Sequence, residues 1–233
     1  MTTTFVLVPG AGGQASYWHL LVAELERRGH TAIAVELPSG DDEAGLDAYA
    51  DTVVAAIDGR APVVVVAQSM GGLTAPLVCE RTPVELLVLV NAMVPRPGET
   101  GGEWWSATGQ DEAQAAYWAR AAIAGNPGDE AVTYLHDVPA EVLAATADEP
   151  LAQSGRPFEE PWPLPRWPDV PTRVLAGRDD RLFPADFQRT VAADRLGLDV
   201  DEMPGGHLLA LSKPAELADR LERYVAEGVD SAP

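Results

Sequence analysis

Cysteine is nearly absent from this chain, and lysine is too: among 233 residues there is one of each, Cys79 and Lys213. A lone cysteine makes no internal disulfide, so no disulfide framework holds the fold together. Cys79 lies beside Leu77 and Val78 after a strand-like run, where packing against a core is its expected role. Basic residues are scarce as well. Lys and Arg number 16 against 36 Asp and Glu, a net charge of −20 that disfavours nucleic acid and anionic membrane as partners. No apolar stretch is long enough to span a bilayer, and the first strand-like run starts within five residues of Met1 with no basic flank. The chain therefore reads as soluble, unexported and cytoplasmic.

What is present has a strong rhythm. Short apolar runs suited to buried parallel strands occur at Thr4 to Val8, Thr31 to Val35, Val63 to Ala67, Glu85 to Val90, Thr172 to Ala176 and Asp199 to Met203. Amphipathic helices alternate with them. Trp18, Leu21, Val22 and Leu25 share one face before Gly29, and Leu46 to Ile57 form a second helix ending at Gly59. A third runs from Met70 towards Arg81, with Pro76 expected to kink or loosen it, and two more cover Ala185 to Leu196 and Ala215 to Ala226. Strand alternating with helix six times implies a parallel sheet with right-handed crossovers and helices on both faces, whose ligands bind at the carboxyl ends of the strands.

Residues 96–168 interrupt this rhythm with five of the six tryptophans, helical stretches at Ala113 to Ala124 and Glu141 to Ala147, and a proline-dense return from Pro157 to Pro171. They read as an inserted cap between core segments 1–95 and 169–233. A cap leaving after Val90 and rejoining before Thr172 must lie over the strand ends. Trp104 and Trp105 are candidate pocket-lining residues there, as is His136, and Arg156 is a further side chain able to reach inward.

The run VVVVAQSMGG, Val63 to Gly72, contains Ser69. A strand that turns sharply into a helix lifts a serine hydroxyl clear of the sheet, and the small residues Ala67 and Gly71 let the backbone close. The same pattern also fits a serine that merely caps a helix. Serine needs a base and a group to orient that base. His19 and His30 flank the first amphipathic helix, where a surface position is the default. His207 lies in PGGHLLALSKP after the last strand, with no apolar periodicity to account for it. The acid comes from GRDDRLFP after the preceding strand, Asp180 in preference to Asp179. The order Ser69, Asp180, His207 is a serine hydrolase order. Gly10, Ala11 and Gly12 then form a loop whose Ala11 N–H, with that of Met70, completes an oxyanion hole.

The same loop carries a competing signal. Gly10, Gly12 and Ala15 match G-x-G-x-x-A, and Glu36 ends the second strand where a ribose-binding acid stands in dinucleotide-binding folds. That pattern implies an NAD(P)-binding oxidoreductase and leaves Ser69, Asp180 and His207 unexplained.

Taken together, FVLVPGAGGQASYWHL, AQSMGG, VNAMVP, FPADFQR and GGHLLALSKP resemble the plant methylesterase and hydroxynitrile lyase branch of the α/β-hydrolases, nearly end to end. The resemblance implies an α/β-hydrolase fold with a six-stranded, mostly parallel sheet and a helical cap. It also implies no cofactor, no metal, and hydrolysis of a small carboxylic ester. Two departures stand out. Pro9 replaces the histidine most relatives carry before the oxyanion glycine, and Leu208 stands where lyases of the branch hold cyanide with a lysine. The esterase side is therefore favoured, with a carbon–carbon-bond hydrolase or lactonase as the alternative on the same residues. A small-ligand receptor is the reading from another class.

Overall fold

In a computed structural model of the protein, which describes residues 2–145 and 153–229, every strand-like run becomes a strand. The elements run β1 (Thr4–Val8), a 3₁₀ turn (Ala15–Trp18), α1 (His19–Arg27), β2 (Thr31–Ala34), α2 (Leu46–Ile57), β3 (Val63–Gln68), α3 (Gly71–Arg81) and β4 (Leu86–Val90). After β4 come α4 (Gly101–Thr108), α5 (Gln110–Arg120), α6 (Glu130–Thr133), α7 (Ala140–Ala145) and α8 (Arg156–Glu159). The chain then returns through β5 (Thr172–Gly177), α9 (Ala185–Leu196), β6 (Val200–Met203), α10 (Leu209–Ser212) and α11 (Pro214–Val229). The six strands form one sheet in the order β2-β1-β3-β4-β5-β6, all pairs parallel.

The apolar runs are continuous because both faces are covered, and their alternation sorts side chains between two cores. Val6, Val8, Val63, Val65, Leu87 and Leu89 point towards α2, α3 and α9, where they meet Tyr49, Val53, Ala75 and Val191. Phe5, Leu7, Val64, Val66, Val88 and Val90 point the other way, against Leu21 and Leu25 of α1 and Leu217, Leu221 and Tyr224 of α11. A one-residue slip in any of these strands would exchange the two sets, so the register is tightly specified. Helix α3 runs as a single element through Pro76, with every residue from Gly71 to Val78 buried. Packing on all sides outweighs the lost intrahelical hydrogen bond. Cys79 packs against the first core, and burial pushes its thiol up to about 12.

Of the two histidines flanking α1, one differs from expectation. His19 is exposed. His30 is not: its side chain is 11% exposed, its Nε2 lies 3.0 Å from Glu222 and its ring stands edge-on to Phe5. The sequence places it just outside an amphipathic helix, but the following strand carries it into the cleft between β1 and α11.

Between β4 and β5 the helices are shorter and more numerous than the sequence suggests. Helix α4 was not visible in the periodicity; a capping box between Thr100 and Glu103 starts it, and Gly109 in the left-handed conformation ends it. Helix α5 ends at Arg120, earlier than Ala124, and the final positions of the stretch Glu141 to Ala147 fall outside the described residues. Trp104 and the Arg195–Glu99 ion pair anchor this segment to the core. The Arg195 side chain, 2% exposed, bonds both carboxylate oxygens of Glu99 and also the Val94 carbonyl, which the Trp104 indole N–H shares. Trp118 donates similarly to the Arg181 carbonyl at 2.9 Å. Most of the aromatics here hold the segment down.

Candidate active site

The strand β3 ends in the turn that carries Ser69. Ser69 has φ of 52°, in the left-handed region where a side chain is strained, and the surroundings enforce it. Its N–H donates to the Val90 carbonyl at 3.3 Å, and its own carbonyl accepts from Met93 at 2.9 Å and Gly72 at 3.1 Å. The two glycines that follow are required by crowding. A Cβ on Gly71 would stand 2.8 Å from the Pro9 carbonyl, and one on Gly72 would run into the Met93 carbonyl. Gly10 is equally confined, since a Cβ there would meet the Ser69 Cβ at 2.8 Å. The loop after β1 and the serine turn thus touch backbone to backbone.

From the far side of the sheet come the acid and the histidine. Asp180 is completely buried just after β5. Its Oδ1 accepts from the Leu182 and Phe183 N–H groups at 2.8 and 2.9 Å, and its Oδ2 lies 2.8 Å from His207 Nδ1. A carboxylate that accepts three hydrogen bonds is held in one orientation, and it assigns the Nδ1 proton to His207, leaving Nε2 as the acceptor. The neighbouring Asp179 is exposed and accepts instead from the Gly205 N–H at 3.1 Å, bracing the loop before the histidine. His207 is 2% exposed, with Phe183 and Tyr134 set edge-on to its ring.

Asn91, which opens the segment after β4, ties these parts together and was not singled out by the sequence. It has φ of 46° and is fully buried. Its amide donates to the Gly206 and His207 carbonyls, both at 3.0 Å, and its Oδ1 accepts from the Gly177 N–H at 2.7 Å and from Gln188 at 3.1 Å. One side chain therefore joins the ends of β4 and β5, the histidine loop and α9. Replacing Asn91 with alanine is expected to cost about 2–4 kcal/mol, because buried donors and acceptors lose partners on three elements. Denaturant melts of the variant, read by tryptophan fluorescence, test this; an unchanged midpoint would contradict it.

Ser69, Met70, His207 and Ala11 line one cavity of about 420 Å³ together with Gln14, Gln68, Met93, Trp105, Glu130, Tyr134, Leu135, Phe158, Leu182, Phe183 and Leu208. This volume fits a small ligand. The wall is mainly apolar, and among the lining residues Glu130 is the one carboxylate, with no lysine or arginine. The N–H groups of Ala11 and Met70 make no hydrogen bond among the described residues. Trp105 reaches the cavity from α4. Trp104 does not; it is 1% exposed and packs on Phe183 and Phe187. His136 also stands outside the lining, behind the histidine loop beside Gly206, where burial lowers its pKa. Arg156 points away to an ion pair with Glu160 at 2.9 Å.

The glycine pattern of the first loop is accounted for by this site. Glu36 accepts from the Ala15 N–H at 2.6 Å, tying the end of this loop to the segment after β2, and Gly10 is small because Ser69 lies against it. Among the described residues no three His, Cys, Asp or Glu side chains gather as a metal site, and no helix is long and apolar enough to cross a membrane.

Comparison with known proteins places these features in a family. Residues 5–220 match the model of the alpha/beta hydrolase family. A rice protein named probable esterase PIR7A, from Oryza sativa subsp. indica, is 27% identical over 258 aligned positions that cover 96% of this chain and 97% of its own. Among solved structures, a pyrethroid hydrolase from Sphingobium faniae JZ-2 superposes with a TM-score of 0.75 at 19% identity, covering 97% of this chain and 98% of that one. The methylesterase MES16 from Arabidopsis superposes with a TM-score of 0.73 at 21% identity, over 97% and 99% of the two chains. With a six-stranded parallel sheet, a serine on a strained strand-to-helix turn and a family match over most of its length, the chain belongs to the alpha/beta hydrolase family and within it is similar to the plant methylesterase branch.

Proposed function

We propose that this hydrolase cleaves small, uncharged, partly hydrophobic carboxylic esters through an acyl-enzyme on Ser69, with His207 as base and Asp180 as its orienting acid. The observation that carries this reading is the hydrogen-bonded line from Asp180 to His207 at a cavity that Ser69 also lines. The named esterases and methylesterase among its relatives support the carboxylic-ester class. His207 Nε2, left unprotonated by the Asp180 contact, takes the Ser69 proton as the hydroxyl oxygen attacks the ester carbonyl. The Ala11 and Met70 N–H groups bind the oxyanion of the tetrahedral intermediate. His207 then returns the proton to the departing alkoxide, the alcohol leaves, and the acyl group remains on Ser69. Water, activated by the same Nε2, hydrolyses it to the acid and frees the serine.

The cavity wall supports the substrate class. Met70, Met93, Phe158, Leu182 and Leu208 suit a hydrophobic group, while Glu130 and the overall negative charge disfavour an anionic one. Leu208, apolar and in the lining, also weakens the lyase reading, which calls for a cation beside the histidine.

Intact-mass spectrometry after exposure to an activated fluorophosphonate tests the assignment. A single adduct on the wild type, absent from Ser69→Ala and His207→Ala, is the expected result. Folded wild-type protein that takes up no label would overturn it.

A further inference from the structure

Within itself the loop after β1 is held by a single turn hydrogen bond, from the Gly13 N–H to the Gly10 carbonyl at 3.1 Å. Gly12 and Gly13 follow one another with φ of 89° and 63°, and neither has a side chain to pack. Glycine pairs of this kind have a large conformational entropy, so a well-aimed Ala11 N–H needs outside anchors. The structure supplies them from the return of the segment between β4 and β5. Gln153 Oε1 accepts from the Gly12 N–H at 2.9 Å, while its amide nitrogen donates to the Tyr49 hydroxyl at 3.2 Å and to the Ser154 carbonyl at 2.9 Å. Tyr49 belongs to the buried face of α2, so the amide is itself held by the core. The next residue grips the other side of the loop through an intermediary. Ser154 N–H donates to the Ser39 carbonyl at 2.8 Å, and Ser39 Oγ donates to the Gly12 carbonyl at 2.9 Å. Gly12 is therefore clamped at both its N–H and its carbonyl.

We propose that Gln153 is a positioning residue for the oxyanion loop: by holding the Gly12 N–H it keeps the neighbouring Ala11 N–H aimed at the carbonyl oxygen that Ser69 attacks. The inference rests on the esterase reading above. It couples the inserted segment to transition-state stabilisation without placing Gln153 against the substrate, since Gln153 is not part of the cavity lining.

Two variants separate positioning from mere support. Gln153→Met keeps the length of the side chain but removes the acceptor. Gln153→Glu keeps an acceptor for Gly12, and the Tyr49 hydroxyl can rotate to donate to the carboxylate. For Gln153→Met the expected result is a fall in kcat of roughly 10-fold with KM nearly unchanged, because a misaimed donor costs less than a deleted one. Affinity for an aryl boronic acid, which mimics the tetrahedral intermediate, should fall by a similar factor. Amide exchange at Gly12 should quicken, and Gln153→Glu, which keeps the acceptor for Gly12 but loses the donor to the Ser154 carbonyl, should restore part of all three. Gln153→Met with wild-type kcat and boronic-acid affinity would overturn the proposal. So would Gln153→Glu whose amide exchange at Gly12 is as fast as in the methionine variant, since its carboxylate offers that N–H the acceptor methionine lacks. Wild-type protein that neither hydrolyses esters nor takes a fluorophosphonate on Ser69 would instead bring down the esterase reading, and this proposal with it. A labelled, active wild type with an unaffected Gln153→Met removes the positioning role alone.

Discussion

Ser69→Ala is expected to lower kcat for ester hydrolysis on the order of 10⁶-fold, the loss seen when a serine hydrolase is deprived of its nucleophile while its oxyanion donors remain. The protein should stay folded. Among the described residues Ser69 Oγ makes no hydrogen bond; the backbone around it does the structural work through Val90, Met93 and Gly72. Alanine also accepts the left-handed φ of 52° no worse than serine does, since both carry the same Cβ. A thermal midpoint close to that of the wild type, alongside the lost rate, would separate chemistry from folding. Retention of the rate in homogeneous protein would exclude Ser69 as the nucleophile and with it the acyl-enzyme route. KM should change little, because substrate binding draws on the apolar wall rather than on the hydroxyl.

Asp180→Asn comes next in size, at about 10⁴-fold in kcat by the general behaviour of such sites. The reason is specific to the geometry. Two backbone N–H groups, from Leu182 and Phe183, both point at Oδ1, so an asparagine must turn its carbonyl oxygen towards them. Its NH₂ then faces His207 Nδ1, 2.8 Å away in the wild type, and donates where the carboxylate accepted. The proton shifts to Nε2, and the histidine loses the lone pair that would take the serine proton. Asp179→Asn supplies the control. Asp179 is exposed and its carboxylate accepts from the Gly205 N–H of the histidine loop, so its loss should lower kcat less than about 10-fold. Measuring kcat for both variants against one activated ester decides the matter, and a larger loss at Asp179 would reassign the acid while leaving the mechanism in place.

Much of this arrangement is written locally. Strands buried on both faces have to be uninterrupted apolar runs, and the runs Thr4 to Val8, Val63 to Ala67 and Thr172 to Ala176 begin where their strands do and end within one residue of them. Ser69 is marked by the small residues that a sharp turn demands, and His207 by the lack of any periodic reason to be where it is. The helices between β4 and β5 leave a fainter trace. Elements as short as α6 and α8 carry too few residues to display a period, and α4 begins with two glycines that read as loop. Their stability comes from docking: Trp104 wedged among Phe183 and Phe187, Trp162 bonded to the Leu73 carbonyl, and Arg195 paired with Glu99. The same holds for the wall of the cavity, where Trp104 and Trp105 are adjacent in sequence but one is core and the other faces the ligand space. Helical geometry turns neighbours by about 100° from each other, and which of them faces the cavity depends on how the helix docks.

The sequence by itself determined the alternation of strand and helix, the order of serine, acid and histidine, and the excess of negative charge, because each of these depends on residue type and spacing along the chain. Only the tertiary structure decided that Asp180 rather than Asp179 meets His207, that Asn91 joins three elements, that Glu36 holds the loop after β1, and that Gln153 grips Gly12 from 141 residues away. Those are contacts between side chains and backbone groups of distant segments. A hydrogen bond of this sort is specified by where the folded backbone brings its donors and acceptors, and no pattern in either segment alone records the other's position.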